Sequence, residues 1–114
     1  MSAVPDAPPT TADMARDADL ALVLAQGRPV GPASGEVRKR LRSHIGLLVD
    51  PAEEYAKDLT DPRARDIASG TVEHARGLLR DQDGDPAAML RLLGKAVHHL
   101  LRYASHVQRH ERRT

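Results

Sequence analysis

The sequence predicts an all-α fold, a four-helix bundle-like domain whose second helix is long and kinked at Pro51. Three observations carry that expectation. Apolar residues recur at spacings of three and four through most of the chain, and no stretch alternates as a strand does. Asp-Pro pairs and glycine-rich breaks interrupt that pattern where helices would start and stop. Phe and Trp are absent, and Tyr55 and Tyr103 are the only tyrosines, so the core must be assembled from Leu, Val, Ile, Ala and Met. Such side chains suit packed helices, and 114 residues suffice for one domain.

Residues 1–10 are proline-rich and aperiodic, which predicts a flexible tail. Thr10 or Thr11 then caps a helix running to about Gln26, with Asp13 in its first turn and Gly27 as a left-handed stop. Met14, Ala18, Ala21, Leu22 and Ala25 form its inner face. "GRPVGPASG" is a loop, and Ser34 is the expected cap of the next helix. Val37, Leu41, Ile45, Leu48, Ala52, Tyr55 and Leu59 then trace a single stripe. That stripe keeps its phase through Pro51, which favours one kinked helix over two. Asp61-Pro62 opens a third helix, with Ala64, Ile67, Ala68, Thr71, Ala75, Leu78 and Leu79 facing inward. Asp85-Pro86 opens the fourth, on Met89, Leu90, Leu93, Val97, Leu100, Leu101, Ala104 and Val107. The organisation is thus a tail (1–10), a helical domain (11–110) and a frayed basic end (111–114).

The composition excludes several chemistries. Without cysteine there is no disulfide, thiol nucleophile or sulfur-ligated zinc. The start "MSAVPDAPPTTAD" has neither a basic nor an apolar region of the kind that marks a signal peptide. The apolar run "LALVLA" is too short to span a bilayer. A cytoplasmic setting without membrane contact is the expectation. The net charge of +1 conceals an asymmetry, since residues 87–114 hold six basic and one acidic side chain.

The stretch Leu41-Arg42-Ser43-His44-Ile45, followed by Leu47-Leu48-Val49 and then Pro51, resembles a family of small actinobacterial proteins of unknown function, loosely labelled natural-product biosynthesis proteins. That family typically has Gly at the Ser43 position, and its proline directly follows the apolar triplet, where this chain inserts Asp50. "LLGKAVHHLLRYASH" is similar to its last helix. The resemblance spans about residues 14 to 107. It implies an all-helical fold and a cytoplasmic setting near natural-product biosynthesis, and it brings no catalytic residues.

Among candidate sites, "KAVHHLLRYASHVQRHERR" is the richest. On a helix, His99, Tyr103, His106 and His110 fall within a sector of about 60°. A metal there would lack a third ligand and its supporting acceptors, so no metal is expected. Tyr and Arg are the types enriched where interfaces hold their energy, and the sector is assigned to a protein partner or a second copy.

Arg38, Lys39, Arg40 and Arg42 are the candidate nucleic-acid contacts of an alternative reading as a DNA-associated regulator. They fan round the helix and no short-turn helix pair accompanies them, so it is not favoured. His44 lies at the edge of the apolar stripe and marks the pocket of a second alternative, a small enzyme or metabolite-binding protein. A catalytic base needs an orienting carboxylate, and the sequence displays none.

"DQDGDP" misplaces the glycine of a calcium loop, and "GRPVGPASG" lacks the Lys-Ser/Thr pair of a phosphate loop. Gly70 and Gly77 share a flank that could admit a close helix. No catalytic residue and no cofactor is assigned, and the favoured function is a non-enzymatic helical interaction module.

Overall fold

Four helices follow one another: α1 (Thr11–Gln26), α2 (Pro32–Asp58), α3 (Pro62–Arg80) and α4 (Pro86–Arg113). The structure, a computed structural model, describes residues 9–27, 31–80 and 84–113, with side chains through His106. Most of the 1–10 segment, part of the loop after α1, residues 81–83, and the side chains of Val107 and His110 lie outside the described residues.

The starts of the helices are chemically specified. The Thr10 hydroxyl accepts the Asp13 N–H at 3.0 Å, while the Asp13 carboxylate accepts the Thr10 N–H at 3.1 Å. That reciprocal box satisfies two donors which α1 would otherwise leave bare. Asp61 caps α3 through the Ala64 N–H at 3.0 Å, and Asp85 caps α4 through the Ala88 N–H at 2.9 Å. Both precede a proline at the first helical position, where no N–H is needed.

α2 departs from expectation at its start. Its cap is Gly31, whose φ of 98° is open to glycine at little cost, and Pro32 sets the first helical φ. Ser34 therefore lies inside the first turn, buried at 3% exposure, and does not cap. Gly27 does end α1, but at φ −103° and without the left-handed turn.

α2 is continuous through Pro51 for 27 residues. Proline removes one backbone donor, so the Leu47 carbonyl loses its partner. Leu47 is 52% exposed, on the flank where water can serve that carbonyl. The proline thus sits on the side of the helix where its cost is least.

α2 and α4 form the central pair; α1 lies mainly against α4, α3 mainly against α2, and α1 and α3 do not touch among the described residues. The core is Leu41, Ile45, Leu48 and Val49 of α2 against Leu90, Leu93, Val97, Leu100 and Leu101 of α4. From α1 it takes Met14 and three alanines, Ala18, Ala21 and Ala25. The inner face of α3 is rotated from the one expected. Val72 is buried beside Ala68, Ala75 and Leu78, whereas Ile67 is 60% exposed. No helix of the described residues is long and apolar enough to cross a membrane.

The tight glycine is also not one of the two singled out in the sequence. Cβ atoms at Gly70 and Gly77 would meet nothing within 4 Å. At Gly94 a Cβ would stand 3.0 Å from the Ala18 carbonyl oxygen and 3.4 Å from the Ala21 Cβ, because α1 crosses α4 there.

Substitution therefore separates these positions. Gly70→Ala and Gly77→Ala should each stabilise by roughly 0.5–1 kcal/mol through helix propensity. Gly94→Val should cost about 1–3 kcal/mol by overpacking, read from urea midpoints at constant slope. Leu48, at 5% exposure, tests the stripe itself. Leu48→Asp should unfold the chain or cost several kcal/mol by circular dichroism melts, and a near-neutral result would place that stripe outside the core.

Candidate functional site

Helix geometry divides the basic run of α2 into two groups. At about 100° per residue, Arg40 and His44 share one flank, whereas Arg38 and Arg42 share the other, with Lys39 and Ser43 beside them. On the first flank stands Asp17 of α1. Its carboxylate accepts the Arg40 Nε at 3.2 Å, the Arg40 Nη2 at 3.3 Å and the His44 ring Nε2 at 2.8 Å. Asp17 is thus the orienting carboxylate that sequence reading did not find for His44. Burial alone would raise its carboxyl, but hydrogen bonds from His44 and Arg40 outweigh that and hold it below the ordinary carboxylate value.

A carboxylate only accepts, so Nε2 of His44 carries the proton. The ring is 5% exposed, and its Nδ1 is enclosed without a partner among the described residues. Two open clefts lie elsewhere on the described surface, and His44 lines neither. The arrangement orients an imidazole but offers it no substrate in either cleft. What the geometry does provide is a fixed register between α1 and α2.

The second flank carries the larger cleft, about 440 Å³, lined by Gly35, Arg38, Lys39, Arg42 and Ser43. Arg40, grouped with these residues in the sequence, is committed to Asp17 and lines no part of it.

Where α2 meets α4, aromatic rings stack. Tyr55 lies 4.8 Å from Tyr103, centroid to centroid, at an interplanar angle of 13°. It lies 5.2 Å from the His106 ring at 25°. Tyr103 is accordingly half-buried and packs against the core, while His99 and His106 are exposed. The structure thus brings Tyr103 and His106 together on Tyr55, which sequence reading had placed in the core stripe. His110 lies outside the described side chains. His98 turns to α1 and meets Asp19 at 2.9 Å. Among the described residues no three metal-ligating side chains converge.

Sequence reading also missed the polar seam between α2 and α3. Arg76 donates to Glu53 at 2.7 Å, with Asp50 at 3.5 Å and Glu73 at 3.7 Å. The hydrogen bond and charge of Arg76 hold the Glu53 carboxyl below its usual value. The only signal available for such pairs was a charged residue placed beside an apolar stripe, as Asp17 is beside Ala18.

The comparisons with known proteins reach the same chain as a whole. A family model, the family of unknown function DUF6415, matches residues 12–109. The chain belongs to this family. The matched region includes all of α2 and α3 and all but the first residue of α1 and the last turn of α4, and with them Asp17, His44 and the cleft-lining residues of α2. No curated protein and no solved structure matches it significantly.

The Asp17 contacts define a test. Asp17→Asn should cost about 1–3 kcal/mol at neutral pH, because a buried donor is left poorly matched. The folded carboxyl titrates below its unfolded value, so its contribution is complete above about pH 4 and is lost as pH falls through the lower folded value. Urea denaturation should therefore show wild type and variant converging in strong acid. A stability difference independent of pH would remove the ionised carboxylate from the account.

Proposed function

We propose that this DUF6415 protein is a non-enzymatic helical interaction module, accessory or regulatory, that docks a protein partner or a second copy of itself through the surface around His99, Tyr103 and His106. One observation carries the reading. Tyr55, Tyr103 and His106 form a stacked set, so an amphipathic surface rich in ring atoms is already ordered before anything binds. Preordering matters because association loses affinity to every side chain that must be immobilised. Tyr supplies large contact area at low entropic cost and is enriched among residues that dominate interfaces. The exposed imidazoles of His99 and His106 add hydrogen-bonding groups beside that area.

The motif at Leu41-Arg42-Ser43-His44-Ile45 supports a finer setting, a cytoplasmic accessory to natural-product biosynthesis in an actinobacterium. That part of the proposal rests on likeness alone.

The test compares wild type with Tyr103→Ala, His106→Ala. Because Tyr103 also packs against the core, the pair His99→Ala, His106→Ala serves as a second variant confined to exposed rings. Association is read by concentration-dependent sedimentation of the purified protein and by retention of interactors from the native host. Folded variants should lose at least one of these associations about tenfold, or roughly 1.4 kcal/mol. Folded variants that retain both would overturn the reading.

A further inference from the structure

The cleft on the second flank of α2 is not used by the proposed docking surface, and its chemistry is of one sign. Three cationic side chains line it, Arg38, Lys39 and Arg42, with the Ser43 side chain and Gly35. No carboxylate among the described residues pairs with any of the three, whereas Arg40 of the same helix is held by Asp17 and Arg76 of α3 by Glu53. Arg38 and Arg42 are half-buried, and the Nε of each is closed off from water without a partner among the described residues. Covered stems of this kind restrict the guanidinium groups before a ligand arrives.

The start of α2 adds to the same field. Gly31 offers no side chain to cap it, and among the described residues the N–H groups of its first turn have no side-chain acceptor. Gly35 belongs to that turn, and the Arg38 Nη2 lies over it, 3.8 Å from where a Cβ would stand. The cationic side chains and the positive end of the helix dipole therefore act on one volume.

We infer that the cleft formed by Gly35, Arg38, Lys39, Arg42 and Ser43 binds the terminal phosphate of a small phosphate ester or diphosphate. Guanidinium pairs match phosphate oxygens in geometry and charge, and the Ser43 hydroxyl can donate a further bond. A terminal phosphate carries nearly two charges at neutral pH, concentrated in one place, as the three cations are. A nucleic-acid backbone instead distributes single charges along a strand and calls for a basic stripe on a basic protein. Here the cations occupy one concavity, Arg40 is diverted to Asp17, and the net charge is only +1. This inference goes beyond the docking proposal and does not depend on it.

The test is a titration of the full chain with inorganic pyrophosphate and with phenyl phosphate, followed by backbone amide shifts at constant ionic strength. Saturable one-to-one binding is expected, with shifts centred on residues 33–43. Arg38→Ala, Arg42→Ala should weaken it at least tenfold. Arg63→Ala, Arg91→Ala removes the same charge elsewhere and should leave it unchanged. If the alanine pair does not fold, Arg38→Gln, Arg42→Gln keeps the covered stems and tests the charge alone. Shifts that never saturate, or an equal loss in the Arg63 and Arg91 control, would overturn the site. Saturation of the same residues by a short duplex DNA, with no response to pyrophosphate or phenyl phosphate, would overturn the assignment of ligand.

Discussion

α2 passes unbroken through a proline, and each of the other three helices packs against some part of it. Its stripe from Val37 to Ala52 faces α4, its Arg40 and His44 flank holds α1, and the flank carrying Glu53 holds α3. Had the chain reoriented at Pro51, the part of α2 that holds α1 and the part that holds α3 would no longer be one rigid body, and among the described residues α1 and α3 make no contact of their own. A mid-helix proline usually costs a hydrogen bond and bends the axis. Placing it over half-exposed Leu47 leaves the freed carbonyl to water and keeps the apolar stripe in phase.

The absence of Phe and Trp sets the second constraint. Small side chains bury little area each, so the helices must approach closely to keep interior density near that of other proteins. The α1 face meets this demand with Ala18, Ala21 and Ala25, and α4 answers with Gly94. The register of such a smooth contact is weakly specified by shape alone. Directional polar pairs at its margins supply what the alanines lack: Asp17 to His44 and Arg40 on one side, Asp19 to His98 on the other. Removing one partner leaves the other poorly served, which makes slipped arrangements less stable than the native one.

Periodicity made the helices legible because burial of one face is a property of each helix by itself. The stripe of α2, the broad face of α4 and the Asp-Pro starts could be read for that reason. In α3 the same method misplaced the face: Ile67 looked inward by hydrophobicity, yet the arc from Ala68 through Val72 to Ala75 is what is buried. With alanines on that arc and an isoleucine at its edge, side-chain hydrophobicity pointed away from the contact. The candidate site was less legible still. Asp17 and His44 are 27 positions apart, and only tertiary packing brings them together. The basic run "RKRLR" was visible, but which of its members were free depended on an acid from another helix. Gly94 rather than Gly70 or Gly77 is the close approach for a related reason, since crowding belongs to the neighbour and not to the glycine.

The proposed anion cleft and the Tyr55 end of the proposed docking surface lie at different points along α2. Ser43 and Tyr55 are twelve positions apart on α2, about 18 Å at the helical rise, with Pro51 between them. Any influence of one on the other would have to travel through α2 itself or through α4, which packs along it. Proline removes a backbone hydrogen bond from the intervening turn, and a helix bends most readily where its ladder is interrupted. Pro51 thus lies between the proposed anion cleft and the proposed docking surface, and coupling between the two through α2 would appear as a ligand-dependent change at Leu47 and Pro51.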